Sequence, residues 1–376
     1  MSAPPASRAS TRWVILLVFL AGALVYANSL TNGFTFDDKV IVETNEKIRS
    51  LDRLPEIWTT PYWPSHRYIQ NYRPLTLTTY ALNYAVHGVA PLGYHLVNVL
   101  LHALVSAMVV ILALRLGVTL AGAALAGLFF ALHPIHTEVV AGVVGRAELL
   151  ASLAYIGGFL LWLRYREHGR VRDLAWLIAV FVLGNLSKEH VVVLPAVILG
   201  AELALHRFRD PEGNRRVVRA FLACAAAGFL VFLLRNWATG TPFAGNLLAH
   251  PVTAGMLYGE PALVRFLTFL KVLQEIARLL LFPITLSPDY NYNQIPIPRG
   301  FETAVAAGAV VLGIGVIVAI RAWSVPRRFA MTAWAALTYF PISNLLVPVP
   351  LLLAERTLYI PSIALAVLAG DWLAGG

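Results

Sequence analysis

Charge is what this chain has least of. Only 13% of its 376 residues are Asp, Glu, Lys or Arg, where a water-soluble domain carries about a quarter. With 58% hydrophobic residues and a mean hydropathy of +0.69, the composition argues against a soluble enzyme and for a single polytopic membrane domain. There is one cysteine, Cys224, inside an apolar segment, so no internal disulfide can form and the redox compartment is left open. Internal repeats, inverted halves and low-complexity tracts are also missing. The net charge of +9 comes from short basic clusters between apolar runs rather than one patch, which sets nucleic-acid binding aside and fits helices oriented in a bilayer. Arginine far outnumbers lysine, and Ala and Leu abound, the composition of a GC-rich bacterial genome.

What is present in quantity is apolar helix. Windows of about 20 apolar residues predict spans near 13–30, 92–114, 117–132, 139–163, 173–186, 190–205, 219–235, 301–320, 329–345 and 357–374. The first run, Trp13 to Tyr26 after Arg8 and Arg12, is long for a signal peptide and is followed by many spans. It reads as an uncleaved first helix, with Val25-Tyr26-Ala27 leaving cleavage formally open. Arg115, then Arg164, Arg166, Arg170 and Arg172, then Arg207 to Arg219, then Arg321, Arg327 and Arg328 fall in alternate loops. Placing them in the cytoplasm puts the N-terminus inside and the loops at 31–91, 133–138, 187–190, 236–300 and 346–356 outside. Residues 264–283 break the parity. Lys271, Glu275 and Arg278 recur on one helical face, so the expectation is an amphipathic helix at the outer interface, with a true span facing a cavity as the alternative.

The outer loops carry the reactive side chains. The loop at 31–91 holds the acidic pair Asp37-Asp38, Arg73 and two helix-like stretches near 48–59 and 74–87, and is too apolar to float free. Two adjacent carboxylates held near a membrane surface have the setting in which burial and mutual repulsion raise a pKa toward that of a proton acceptor. Further on, His133-Pro-Ile-His136-Thr-Glu138 has the residue types of a metal site, against a capped helix start in which Thr137 and Glu138 occupy the first turn. Gly145-Arg146-Ala-Glu148 follows, then Ser187-Lys188-Glu189-His190 squeezed between two spans. Leu286-Ser-Pro-Asp289-Tyr290-Asn-Tyr292 and Ala354-Glu355-Arg356-Thr-Leu-Tyr359 complete the set. Ion pairs at a membrane edge are costly unless they serve a polar site, and all of these converge on one side.

In series these motifs resemble a known family. Asn-Gly-Phe-Thr-Phe-Asp37-Asp38, Asn71-Tyr-Arg73-Pro74-Leu, Gly93-Tyr94-His95-Leu-Val-Asn98-Val-Leu-Leu-His102 and His133-Pro-Ile-His136-Thr-Glu138 occur in this order. Gly145-Arg146-Ala-Glu148, Ser187-Lys188-Glu189 and Ala354-Glu355-Arg356-Thr-Leu-Tyr-Ile-Pro continue it. Over nearly the whole chain this resembles the transmembrane and tetratricopeptide-containing O-mannosyltransferases and their bacterial relatives, which are GT-C glycosyltransferases. The resemblance implies an all-α GT-C-type bundle of about 10–11 transmembrane helices, with amphipathic helices in the outer loops. It also implies a catalytic acidic pair in the first outer loop, a polyprenyl- or dolichyl-phosphate sugar donor, and transfer of mannose to Ser or Thr of a protein. Residues 1–376 are read as one catalytic domain. The tetratricopeptide array of the family is absent from this sequence, which has no 34-residue period; a trimmed chain and a stand-alone catalytic module both fit.

The physical chemistry fits such a reaction. An acceptor hydroxyl needs a general base at the outer interface, and the departing lipid phosphate needs positive charge already in place. Asp37 is assigned as base, with Asp38 orienting it or sharing its proton. Arg146, Lys188, Arg356 and Arg73 are assigned to the donor phosphate. His95, His133, His136, Glu138, Glu148, Glu189, Asp289, Tyr290 and Glu355 are assigned to substrate positioning. No metal ligand is assigned, and a divalent cation is left open as a cofactor. The partners are the lipid-linked donor, a protein or glycan acceptor and the bilayer, with the site on the periplasmic face of a bacterial inner membrane. A single displacement inverts the anomeric carbon. The rival reading is a transporter or flippase of polyprenyl-linked sugars, against which stand the missing repeat symmetry and the apolar centres of the spans.

Overall fold

The computed structural model describes residues 8–64, 71–240, 255–290 and 294–375; Tyr292 and the middle of the expected loop at 236–300 lie outside them. Among the described residues there is no strand. Fourteen α-helices are described, in the order α1 Arg8–Val25, α2 Leu54–Thr59, α3 Pro74–His87, α4 Pro91–Arg115, α5 Leu120–Leu132, α6 Thr137–Ala141, α7 Arg146–His168, α8 Val171–Ser187, α9 Leu194–Leu205, α10 Pro211–Thr239, α11 Ala262–Leu281, α12 Thr303–Ala322, α13 Pro326–Tyr339 and α14 Tyr359–Gly375. The protein is an all-α polytopic membrane protein. Proline opens several of these helices at the first turn (α3, α4, α9, α10 and α13), where its missing N–H costs no hydrogen bond.

Every expected span coincides with a helix. Among the described residues, six helices qualify by length and composition to cross a membrane, or seven if the bent pair Leu120–Leu132 and Pro134–Ala141 counts as one span. The shortfall against 10–11 falls on α5, α8, α9 and α13, which have 13, 17, 12 and 14 residues. They are shorter than the roughly 20 residues a straight span needs. Short 3₁₀ turns at Glu189–Val193 and Phe340–Ile342 extend two of them.

The charges sort to the two ends of the bundle. At one end Arg115 pairs with Glu167, Arg164 with Asp173, Arg166 with Glu202 and Asp210, and Arg327 and Arg328 with Asp371. Between the ends, α4 packs against α1, α5 and α7, while α14 packs against α5 and α13. The contact between α5 and α14 is made backbone to backbone. A Cβ on Gly122 would stand 2.8 Å from the Gly370 carbonyl oxygen, so the pair is held by small residues, as membrane helices commonly are.

At the other end, the loop before α4 folds down onto the bundle. Ile41, Val42, Ile48, Ile57, Tyr62, Leu77, Tyr80 and Tyr94 form a second apolar cluster there, which is why this segment is too apolar to float free. Helix α11 touches this end along its whole length. Glu260, just before it, pairs with Arg299, Lys271 donates to Glu302 and the Pro296 carbonyl, and the Leu280 carbonyl bonds His133. The heaviest packing of α11 is against α12, and among the described residues it does not qualify by length and composition as a span.

Candidate active site

The acidic pair sits on a tight turn. Asp38 N–H donates to the Thr35 carbonyl at 2.8 Å, and Phe36 between them takes φ +43°, a conformation that costs a bulky residue about 1 to 3 kcal/mol. The turn separates the two carboxylates. Asp38 is buried, and its Oδ1 accepts the Val144 N–H at 2.8 Å while its Oδ2 accepts that of Thr35 at 3.3 Å. Burial pushes the Asp38 carboxyl up; the amide donors and the buried ring of His95 behind it pull part of the way back. Asp37 is exposed and lines a cavity of about 880 Å³.

The amide that anchors Asp38 is itself held by a close backbone approach. At Gly145 a Cβ would overlap the Val139 carbonyl, so only glycine lets the chain fold back between α6 and α7 and aim the Val144 N–H at Asp38. Gly145→Ala is expected to shift that amide and cost about 1 to 3 kcal/mol of stability, with a loss of activity larger than the loss of folded protein. Thermal unfolding measured beside turnover on the same sample checks this.

Four cationic side chains line the same cavity as Asp37, namely Arg73, Lys188, Arg235 and Arg356. Three are set by carboxylates. Arg73 Nε donates to Glu189 Oε2 at 3.0 Å, and the Tyr72 N–H holds Glu189 Oε1 at 3.0 Å. Lys188 pairs with Glu148, and Arg356 with Glu138, whose other oxygen accepts the Arg356 N–H at 2.7 Å. Burial pushes the Lys188 ammonium down and Glu148 pulls it back up. These elements meet because Thr76 on α3 donates to the Ser187 carbonyl at the end of α8, which ties Arg73 to Lys188.

Glu189 gives a signed pH effect. Burial raises its carboxyl, but the charge and hydrogen bonds of Arg73 outweigh that and hold it below its ordinary value of 4.5. A carboxylate depressed in the folded state adds stability above its unfolded pKa, and loses it as pH falls through the folded one. Asp38 acts oppositely: its raised pKa costs stability as pH rises above 3.8. Glu189→Gln is therefore expected to be less stable at neutral pH and to show a flatter acid limb below 4.5, checked by thermal unfolding across that range.

Not every assigned residue reaches the cavity. Arg146 is completely buried, and each of its nitrogens is engaged: Nε with Asn98 Oδ1 at 3.0 Å, Nη1 with Asn83 Oδ1 at 2.5 Å, Nη2 with the Tyr94 carbonyl at 2.9 Å. Its guanidinium lies over the Tyr80 ring, so it pins α3, α4 and α7 together and does not line the cavity. His133 and His136 also point elsewhere. His133 bonds the Leu280 carbonyl and the Ile135 N–H, and His136 bonds the Phe130 carbonyl and Ser362 Oγ. With both ring nitrogens of each occupied, they brace helices. Among the described residues no group of three His, Cys, Asp or Glu could hold a metal ion.

Glu138, Glu148, Asp289 and Glu355 line the cavity. Glu189 stands behind Arg73, His95 behind Asp38, and Tyr290 behind Glu355, to which its hydroxyl donates at 2.8 Å. Arg235, in the last turns of α10, was missed in the sequence. The available signal was an arginine ending a long apolar run, which by default marks a functional site.

No family model matches this chain, and no solved structure matches it. Curated proteins do. It is 29% identical to a Drosophila melanogaster protein named Protein O-mannosyl-transferase Tmtc3, over 94% of this chain and 45% of that protein. It is 30% identical to Protein O-mannosyl-transferase TMTC3 of Mus musculus, over 95% of this chain and 42% of that one, and 29% identical to human TMTC4, over 97% and 56%. The chain thus spans about half the length of these relatives, and the resemblance read from its motifs is borne out.

Proposed function

From a chain related along nearly all its length to proteins named protein O-mannosyl-transferases, we propose an integral membrane glycosyltransferase. It moves a sugar, mannose, from a polyprenyl-phosphate donor to a hydroxyl of a Ser or Thr side chain in a protein. The transfer takes place on the periplasmic face of a bacterial inner membrane. The observation that carries this reading is the meeting of Asp37 with Arg73, Lys188, Arg235 and Arg356 in one cavity. Its size suits a sugar phosphate, and the residues proposed as base and phosphate ligands line it together.

In this reading Asp37 takes the acceptor hydroxyl proton as its oxygen attacks the anomeric carbon. Asp38, fixed by two backbone amides, holds the turn that aims Asp37. The lipid phosphate leaves from the opposite face of the sugar toward the cations, so the anomeric configuration inverts. Arg73, Lys188 and Arg356 are each held by a carboxylate at rest, and the incoming phosphate competes with it, as at Lys188 and Glu148. The transporter alternative has no relative of that name among those reported.

The test is incubation of purified protein with a panel of polyprenyl-phosphate sugars and Ser/Thr peptides, read by mass and by the anomeric configuration of the product. A peptide one hexose heavier, with inverted configuration, is expected from the mannose donor. Release of no lipid phosphate across the panel would return the transporter.

A further inference from the structure

One carboxylate in the cavity is left half-satisfied. Glu355 is only 2% exposed. Its Oε1 accepts the Ser287 N–H at 2.6 Å and the Tyr290 hydroxyl at 2.8 Å, so the side chain is clamped in one orientation. Among the described residues its Oε2 accepts no hydrogen bond and forms no ion pair, and the residue lines the cavity. That second oxygen therefore opens onto the cavity, where a ligand can supply its partner.

The surroundings define that ligand. Asp289 lines the same cavity, and Glu138 nearby is taken up by Arg356. Arg356 on this wall is held by Glu138 and the Pro288 carbonyl, and the carboxyls of Glu355 and Asp289 are poor partners for a phosphate. They suit a neutral group rich in hydroxyls, which donate to a carboxylate and accept from a protonated carboxyl. The sugar of a lipid-linked donor is such a group.

We propose that Glu355 reads the sugar of the donor, its free Oε2 accepting a hydrogen bond from a hydroxyl of the hexose while Ser287 and Tyr290 hold it in place. This rests on the donor reading above and assigns the sugar contact within it. No bond is made or broken at Glu355. Arg73 and Lys188 face the phosphate, which the sugar-bearing lipid and the spent lipid share. Glu355 contacts only the former, and so sets the preference between them.

The experiment compares binding of polyprenyl-phosphate mannose and of bare polyprenyl phosphate to the detergent-solubilised chain. The wild type is expected to prefer the sugar-bearing lipid by about tenfold or more. Glu355→Gln erases that preference and leaves affinity for the bare lipid unchanged. Tyr290→Phe, which removes one clamp and keeps the carboxylate, narrows the preference; if Glu355→Gln does not fold, this variant decides, and an unchanged preference in it overturns the proposal. A full preference in Glu355→Gln also overturns it, as does weakened binding of acceptor peptide with the sugar preference intact. A wild type that binds neither lipid overturns the donor reading itself, an outcome distinct from these.

Discussion

Replacing Asp37 by Asn is expected to lower sugar transfer by roughly 10² to 10⁴-fold, the usual worth of a positioned general base, while expression and donor binding persist. The side chain is exposed into the cavity and, among the described residues, makes no bond that holds the fold, so an isosteric amide changes its basicity and little else. Asp38→Asn behaves differently. An amide has one acceptor oxygen where the carboxylate uses two, toward Val144 and Thr35, so that variant loses both activity and the turn. Rates, donor affinity and thermal stability measured on both variants separate a chemical loss at Asp37 from a structural one at Asp38. Near-normal turnover in Asp37→Asn removes the base assignment.

The largest stability effect is expected at Arg146. Its cation is fully buried and makes no ion pair among the described residues; it is balanced by the oxygens of Asn83, Asn98 and Tyr94 and by the faces of Tyr80 and Tyr94. Arg146→Lys keeps the charge but replaces a planar five-donor fork with a point charge, leaving at least one buried acceptor unpaired. Each such acceptor costs about 1 to 3 kcal/mol, and an uncompensated buried charge adds to that. A loss of roughly 3 kcal/mol or more is expected, seen as a lowered unfolding midpoint in detergent and poor yield. A stable Arg146→Lys protein with weakened donor binding would instead restore Arg146 to the phosphate.

That contrast shows what the sequence can and cannot say. Apolar length and the alternation of arginine clusters located the helices, and the ion pairs of Arg115, Arg164, Arg166, Arg327 and Arg328 gather at one end as that alternation requires. The order of motifs brought Asp37, Arg73, Lys188, Glu355 and Arg356 to one cavity. Which cations face the cavity was not legible. Arg146 and Lys188 look alike as charges beside a span, and only Asn83, Asn98 and Tyr94, contributed by two other helices, hold the first away from the cavity lining. The histidines of His133-Pro-Ile-His136 carry the residue types of metal ligands, yet their nitrogens are taken by the nearby Ile135 amide and Phe130 carbonyl and by the Leu280 carbonyl and Ser362 hydroxyl, distant in sequence. Helix boundaries blurred for a related reason. The run at 139–163 breaks at Gly142 and Gly145, which set α6 and a short 3₁₀ turn before the 23-residue α7, a local need of the Asp38 anchor that hydropathy does not register.

The most direct test of the central claim is acceptor-dependent release of polyprenyl phosphate by the purified chain, followed beside the same reaction with Asp37→Asn. The wild type is predicted to release lipid phosphate in step with a peptide gaining one hexose, and Asp37→Asn to bind the donor and release none. Equal release by the two proteins, or release without any gain of mass in the acceptor, would contradict it.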